Sequence, residues 1–317
     1  MLLGTLAQAC YFAELGGTQL ALINDQRPLS RAVARERDPQ RRALLEMVPA
    51  LRSFARNVMQ LPVGDSYGGY YETEQPGILF VLVGSERTRL QPYTWWFPIV
   101  GEVSYKSYVH EAEADGAAAE LERGGYDAWV GPVTAYSSLG FFRDPVTTVM
   151  MRRGTVVFVE VLLHEMAHAK LYVPGQTDWN EQLASFVGRK GAEQYLRSRF
   201  GDDSALVAEL QARERARVRS DALVRAALAE LEALYTSGRP SRDILRARQP
   251  IFERLSAELR AQHPDADASD LVINNAHLVQ YRRYLVGSEQ LEAMWKQARG
   301  SWPQFWRLCR AYAAVLD

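Results

Sequence analysis

The chain has only two cysteines in 317 residues, Cys10 and Cys309, nearly the full length apart. That excludes a disulfide framework and a thiolate metal site, both of which need clustered cysteines. Histidine is also scarce, at five residues, so any metal site must draw on few imidazoles and on carboxylates. Charge of one sign is absent too: 37 basic and 38 acidic side chains leave a formal net charge of -1. No overall field therefore draws the chain to nucleic acid or to anionic lipid. The arginine-rich stretches "RKGAEQYLRSRF" and "QARERARVRSDALVR" lack an aromatic stacking array, and the second is interleaved with acids. They read as solvated helix faces, and no nucleic-acid partner is expected.

No apolar run reaches the roughly 18 residues that a membrane-spanning helix requires. The opening "MLLGTLAQAC" places small residues before Cys10 as a lipoprotein cleavage site does, but it has no basic region and too short an apolar one. Cys10 is expected as a buried thiol in a cytoplasmic protein, or as the lipidated residue of an envelope protein if the true start lies upstream.

What is present is a 47% hydrophobic composition, enough for a substantial core. Residues 6 to 26 and 28 to 60 read as helices, and the Gly- and Pro-rich "LPVGDSYGGYYETEQPG" ends the second. "GILFVLVGS" (Gly77 to Ser85), "TWWFPIVGEVSY" (Thr94 to Tyr105) and "DAWVGPVTAYSS" have the β-branched and aromatic content of strands. Between the last two, "EAEADGAAAELERGGY" is a helix stopped at Gly124 and Gly125. Thr155 to Tyr172 is apolar almost all round and predicts a buried helix ended by Pro174-Gly175. From Ala192 to Gln262 helical spacing dominates, broken at "FGDDS" and "TSGRPS", and Ala268 to Leu316 is helical with Trp295, Trp302, Phe305 and Trp306 as packing groups. The expectation is an α+β fold: a mixed sheet packed on a buried metal-binding helix, with a largely helical C-terminal half. The boundary is drawn at residue 200, giving regions 1–200 and 201–317, which could form one continuous domain.

The chemistry concentrates in "VLLHEMAHAKLYVPGQTDWNEQLASF". His164-Glu165-Met166-Ala167-His168 is H-E-x-x-H. Positions four apart on a helix share a face, so the two imidazoles can hold one ion. Glu165 lies to the side of that pair, where a carboxylate can take a proton from water on the metal and return it to a leaving amine. Catalytic zinc commonly takes three protein ligands. Glu181, thirteen residues after His168 and at the start of the next helix, can supply the third. Its alternative is a helix cap, since Asp178 and Glu181 have near-capping-box spacing. Asn180 either orients a neighbouring ligand or is solvated, and Glu160 either supports a ligand or lies on the surface. A di-iron reading fails, because neither His110, His263 nor His277 has a glutamate three residues before it.

"YTWWFPIVGEVSYKSY", "YDAWVGPVTAYSSLGFFRDPV", "LLHEMAHAKLYVPGQTDWNEQLASFVGRKGAEQYL" and "NNAHLVQYRRY" resemble the successive motifs of a bacterial family of predicted zinc aminopeptidases. That family is gluzincin-like, with H-E-x-x-H followed by Asn-Glu. The similarity runs from about Tyr11 to Trp295. It implies one zinc ion on His164, His168 and Glu181, Glu165 as general base, and a peptide substrate. No Gly-x-Met-Glu-Asn segment for a substrate's free amine is present, so the exopeptidase activity follows from the resemblance alone. Tyr284 stands where the family also carries tyrosine; its phenol could stabilise an oxyanion or simply pack. Asn274 and Asn275 cap a helix or contact substrate, and Val133 to Ser137 form either an interior strand or an edge for an extended peptide. The rival functions are an endopeptidase or processing protease, and a non-catalytic metal-binding protein.

Overall fold

The computed structural model describes residues 24–97, 101–135, 143–262, 273–285 and 288–316. In chain order the elements are β1 (Arg27–Pro28), α1 (Leu29–Arg35), α2 (Pro39–Asn57), β2 (Gly69–Tyr71), β3 (Leu79–Glu86), β4 (Trp95–Phe97) and β5 (Gly101–Val103). There follow β6 (Lys106–Tyr108), α3 (Glu111–Arg123), β7 (Tyr126–Val133), β8 (Val146–Thr147), α4 (Thr148–Met151), α5 (Gly154–His168) and α6 (Thr177–Phe200). The rest is helical: α7 (Ala205–Tyr235), α8 (Ser241–Gln262), α9 (Asn275–Leu285), α10 (Ser288–Gln297) and α11 (Trp302–Leu316). The fold is α+β with small mixed sheets and a helical C-terminal half, as the sequence predicts. Among the described residues no helix is long and apolar enough to cross a membrane.

Two compact units share the chain. One takes Leu79–Pro132 and Gln211–Arg282. Its three-stranded sheet has the order β6-β3-β7, with β3 and β6 antiparallel, and β4 and β5 form a separate antiparallel pair. The segment Thr94 to Tyr105, expected as strand, holds these two paired strands, Trp95 opposite Val103 and Trp96 opposite Glu102. In α8, Ile244, Arg248, Ile251, Phe252, Leu255 and Leu259 are buried at helical spacing, which is the apolar stripe the sequence displays. The Arg248 guanidinium makes two hydrogen bonds to the Asp127 carboxylate, at 2.6 and 2.9 Å. Asn275 donates its backbone N–H to the same carboxylate and its amide to the Glu86 carbonyl, while Asn274 accepts from the His277 N–H as a helix cap.

The second unit takes 24–78, Val133–Leu210 and 283–316 and holds the main apolar core. The long helix expected over residues 28 to 60 is divided here. Asp38 accepts from the N–H groups of Gln40 and Arg41 and starts α2 afresh with Pro39 at its first position. Leu45, Val48 and Leu51 of α2 are fully buried, as are Phe158, Val159, Leu162 and Leu163 of α5. Against them lie Leu183, Phe186 and Val187 of α6, and Trp302, Phe305 and Trp306 of α11, with Phe305 stacked on Phe186 at 5.3 Å. Strands β1, β2 and β8 make a small mixed sheet, antiparallel between β1 and β2 and parallel between β2 and β8.

Helices α5 and α6 lie unusually close because α6 presents Ala184, Gly188, Gly191 and Ala192, a strip of small residues at helical spacing. A Cβ placed on Gly188 would stand 2.7 Å from the Glu160 carbonyl oxygen of α5. Glycine there is what lets the two backbones meet.

Candidate metal centre

The buried helix α5 ends at His168, earlier than the expected Tyr172, and the chain turns back through Val173, Pro174 and Gly175. Gly175 has φ 77°, a left-handed conformation natural to glycine. Asn180 fixes this return. Its side-chain carbonyl accepts from the Val173 N–H at 2.9 Å, and its amide donates to the Val173 carbonyl at 2.8 Å. The side chain is neither solvated nor aimed at a histidine: it is buried, and it locks the loop onto the first turn of α6. The next residue, Glu181, is thereby turned toward α5.

Glu181 makes no capping box, since α6 starts at Thr177 and its cap residue, Gln176, makes no side-chain cap. Its carboxylate lies against both imidazoles instead, with Oε2 3.6 Å from His164 Nε2 and Oε1 3.5 Å from His168 Nε2. The two Nε2 atoms are 3.1 Å apart. Tetrahedral zinc with bonds of about 2.0–2.1 Å separates its ligand atoms by about 3.3 Å. The two Glu181 distances run to different oxygens, and with one atom from each residue the three donors lie within 4.8 Å of one another, so a turn of the carboxylate would bring one oxygen to both rings and fit one small ion. Among the described residues these three alone form a group of His, Cys, Asp and Glu close enough to hold a metal.

Their protonation shows how the cluster is balanced. Burial pulls His164 down, but the Glu181 and Glu165 carboxylates outweigh it and its pKa is raised. Burial, then the charge on His164, pushes His168 down to about 4. Burial would raise Glu181, yet its hydrogen bond to His164 and the nearby positive charges hold it at about 2. The raised His164 and the lowered Glu181 express one attraction, that of a His164 proton for the Glu181 carboxylate. A divalent cation would take the place of that proton and release it.

Glu165 is buried on α5 beside this triangle. Burial raises it to about 7, against the pull of His164 and with the help of the Glu181 and Asp144 charges. Tyr284 of α9 comes to the same place: desolvation, then the Glu181 charge, pushes its phenol well above its ordinary range. The structure thus brings together His164, His168, Glu181, Glu165 and Tyr284. Asn274 and Asn275 lie in the other unit. Val133 ends β7, Thr134 and Ala135 are not strand, and Tyr136 and Ser137 lie outside the described residues, as do Cys10 and His263.

Two participants escape a linear reading. Ser185, one turn after Glu181, has its hydroxyl 3.3 Å from His164 Nδ1. Were Nε2 to bind an ion, Nδ1 would carry the proton and donate it to that hydroxyl, fixing the ring's tautomer and tilt. Asp144 is buried near Glu165, its backbone carbonyl accepting from the Tyr67 N–H at 2.5 Å. The Ser185 signal was available in outline, because Glu181, Ser185 and Gly188 share one face of α6. Nothing local marks Asp144.

Fold and site together define an α+β protein with a three-donor His-His-Glu centre able to hold one metal ion. A family model described as "Putative aminopeptidase" matches residues 10–316, nearly the whole chain, and the chain belongs to that family. No curated protein and no solved structure matches it.

Proposed function

We propose that the chain is a zinc-dependent metallopeptidase that hydrolyses peptide bonds at the amino end of its substrates. His164, His168 and Glu181 hold the ion, Glu165 moves the proton, and Tyr284 donates to the developing oxyanion. The observation that carries the reading is the convergence of the three donors within 4.8 Å of one another, with the buried Glu165 carboxylate beside them. Family membership supplies the substrate class and the end of the peptide attacked.

Zinc at this centre would supply Lewis acidity, polarising the peptide carbonyl and making water a stronger acid. Glu165 accepts the proton that the attacking water loses as the C–O bond forms. It then delivers that proton to the amide nitrogen as the C–N bond breaks, giving an amine and a carboxylic acid, whose remaining proton passes to the amine or to solvent. Burial lifts the Glu165 carboxyl above its ordinary range while a bound cation would lower it again, a balance suited to both taking and giving a proton. The raised pKa of Tyr284 keeps its phenol protonated there, so it remains a donor to oxygen as negative charge builds. Ser185 holds the His164 ring in register throughout.

The test is metal content and peptide hydrolysis, measured together for the wild type and Glu165→Gln. The variant keeps about one zinc and loses turnover. Full turnover by the variant removes Glu165 from the mechanism. End-labelled peptides fix the cleavage position: release of single N-terminal residues, blocked by acetylation, supports an aminopeptidase, and internal cuts replace it with an endopeptidase.

A further inference from the structure

Asp178 and Gln182 stand one turn apart on α6, on either side of Glu181, and both reach the same residue. Gln182 donates its amide to the Arg283 carbonyl at 3.0 Å, and Asp178 Oδ1 lies 3.3 Å from Arg283 Nε. Gln182 and Arg283 are buried, whereas Asp178 is exposed. The Arg283 carbonyl is among the last four of α9, which have no acceptor role inside their own helix. A buried amide donor on the ligand-bearing helix is therefore committed to the end of a helix 101 residues further on. Tyr284 is the next residue, close enough to the centre for the Glu181 and Glu165 charges to act on its phenol.

A phenol that stabilises a transition state must sit within a few tenths of an ångström of its place. Packing alone cannot secure Tyr284, because the residue is 42% exposed. Its placement is set by the residue beside it, which α6 holds at two points, Gln182 at the Arg283 backbone carbonyl and Asp178 at the Arg283 guanidinium. We infer that Gln182 is a positioning residue that holds the Tyr284 phenol at the metal centre, with Asp178 as the second jaw of the clamp. One helix thus supplies the third ligand and also sets the distance between that ligand and the oxyanion donor. This inference rests on the reading of Tyr284 as a donor in the reaction.

The test uses the full chain with Gln182→Met, which keeps volume and burial but removes the donor, and Asp178→Ala, an exposed change that leaves the core intact. Each is made alone and combined with Tyr284→Phe. In the zinc-loaded protein Gln182→Met lowers kcat about tenfold, a fraction of the roughly hundredfold that outright loss of an oxyanion donor costs. KM and zinc content stay unchanged. Asp178→Ala lowers kcat about twofold, as suits an exposed ion pair. In the Tyr284→Phe background neither change lowers kcat further. Losses that multiply in that background overturn the proposal. Amide hydrogen exchange on the metal-free protein is independent of turnover: Gln182→Met speeds exchange in the last turn of α9, and unchanged exchange there overturns the clamp. A wild type that holds zinc but hydrolyses no peptide overturns the proposed function, and the exchange measurement then decides the clamp by itself.

Discussion

Replacing Gly188 by alanine tests whether the close approach of α5 and α6 makes the metal centre. The added Cβ would stand 2.7 Å from the Glu160 carbonyl oxygen, 3.2 Å from His164 Cβ and 3.3 Å from the His164 backbone nitrogen. Two of these atoms are backbone, inside a helix packed on all sides, so no flexible side chain can yield. An ordinary carbon–oxygen contact is about 3.3 Å, so the helices must part by roughly 0.6 Å. Overpacking of this kind costs about 1–3 kcal/mol, and alanine's better helix propensity returns about 1 kcal/mol. The net loss of stability is then no more than about 2 kcal/mol, and the protein stays folded. The site suffers more. Glu181 lies 3.5 and 3.6 Å from the two imidazole nitrogens, and the same displacement carries it to about 4.1–4.2 Å, well outside the tetrahedral edge of about 3.3 Å. Zinc affinity falls about 10- to 100-fold, the scale of loss when the support of a ligand is disturbed.

Competition against a zinc chelator reads the affinity, and urea unfolding of the metal-free protein reads the stability. Gly116→Ala is the control: Gly116 lies within α3, and a Cβ there meets nothing within 4 Å. It gains up to about 1 kcal/mol from helix propensity and leaves zinc affinity unchanged. A Gly188→Ala protein that binds zinc as tightly as the wild type refutes the reasoning, because Glu181 would then not depend on the helix spacing.

Three further outcomes follow from the same coordinates. Glu165 has a folded pKa of about 7 against an ordinary 4.5, so the stability it contributes is complete below about 4.5 and is lost as pH rises through about 7. Glu165→Gln never ionises, so its stability relative to metal-free wild type grows by up to about 3 kcal/mol between pH 5 and 8; a constant difference in urea melts across that range counts against the burial argument. Ser185→Ala removes the partner of His164 Nδ1 and lowers zinc affinity about tenfold with little change in melting temperature, and an unchanged affinity would deny the serine that role. In the other unit, Arg248→Met removes two hydrogen bonds from the buried Asp127 carboxylate, which keeps Arg87 at 3.5 Å and the Asn275 N–H, and costs about 2–3 kcal/mol, part of it recovered when Asp127 is also made asparagine. Additive losses in the double variant would show that the pair is not what the single change breaks.

The parts of the site visible in the sequence are those set by helical geometry. His164 and His168 share a face because four residues make about one turn, and Glu165 stands aside for the same reason. The buried helix could be read from its unbroken apolar run, and the helices after Ala192 from their breaks at "FGDDS" and "TSGRPS". What stayed hidden depends on partners far along the chain. Asn180 looks like any polar residue on a first turn until the loop folds back and offers it both polar groups of Val173. Gln182 and Arg283 are 101 residues apart, and no local pattern joins them. The split of the expected long helix at Asp38 was legible in principle, since Asp-Pro is a start signal, but the helical spacing on either side masked it. Glu181 had two readings from sequence because capping and metal binding ask for the same carboxylate; only the position of the imidazoles separates them.

The central claim is that three side chains from two adjacent helices hold one ion. Its most direct test is a crystal of the zinc-loaded protein with diffraction measured on both sides of the zinc absorption edge. A single strong anomalous peak is expected at about 2.0–2.1 Å from His164 Nε2, His168 Nε2 and a Glu181 carboxylate oxygen. A peak elsewhere, or one at the histidines with the Glu181 side chain directed away from it, would contradict the account.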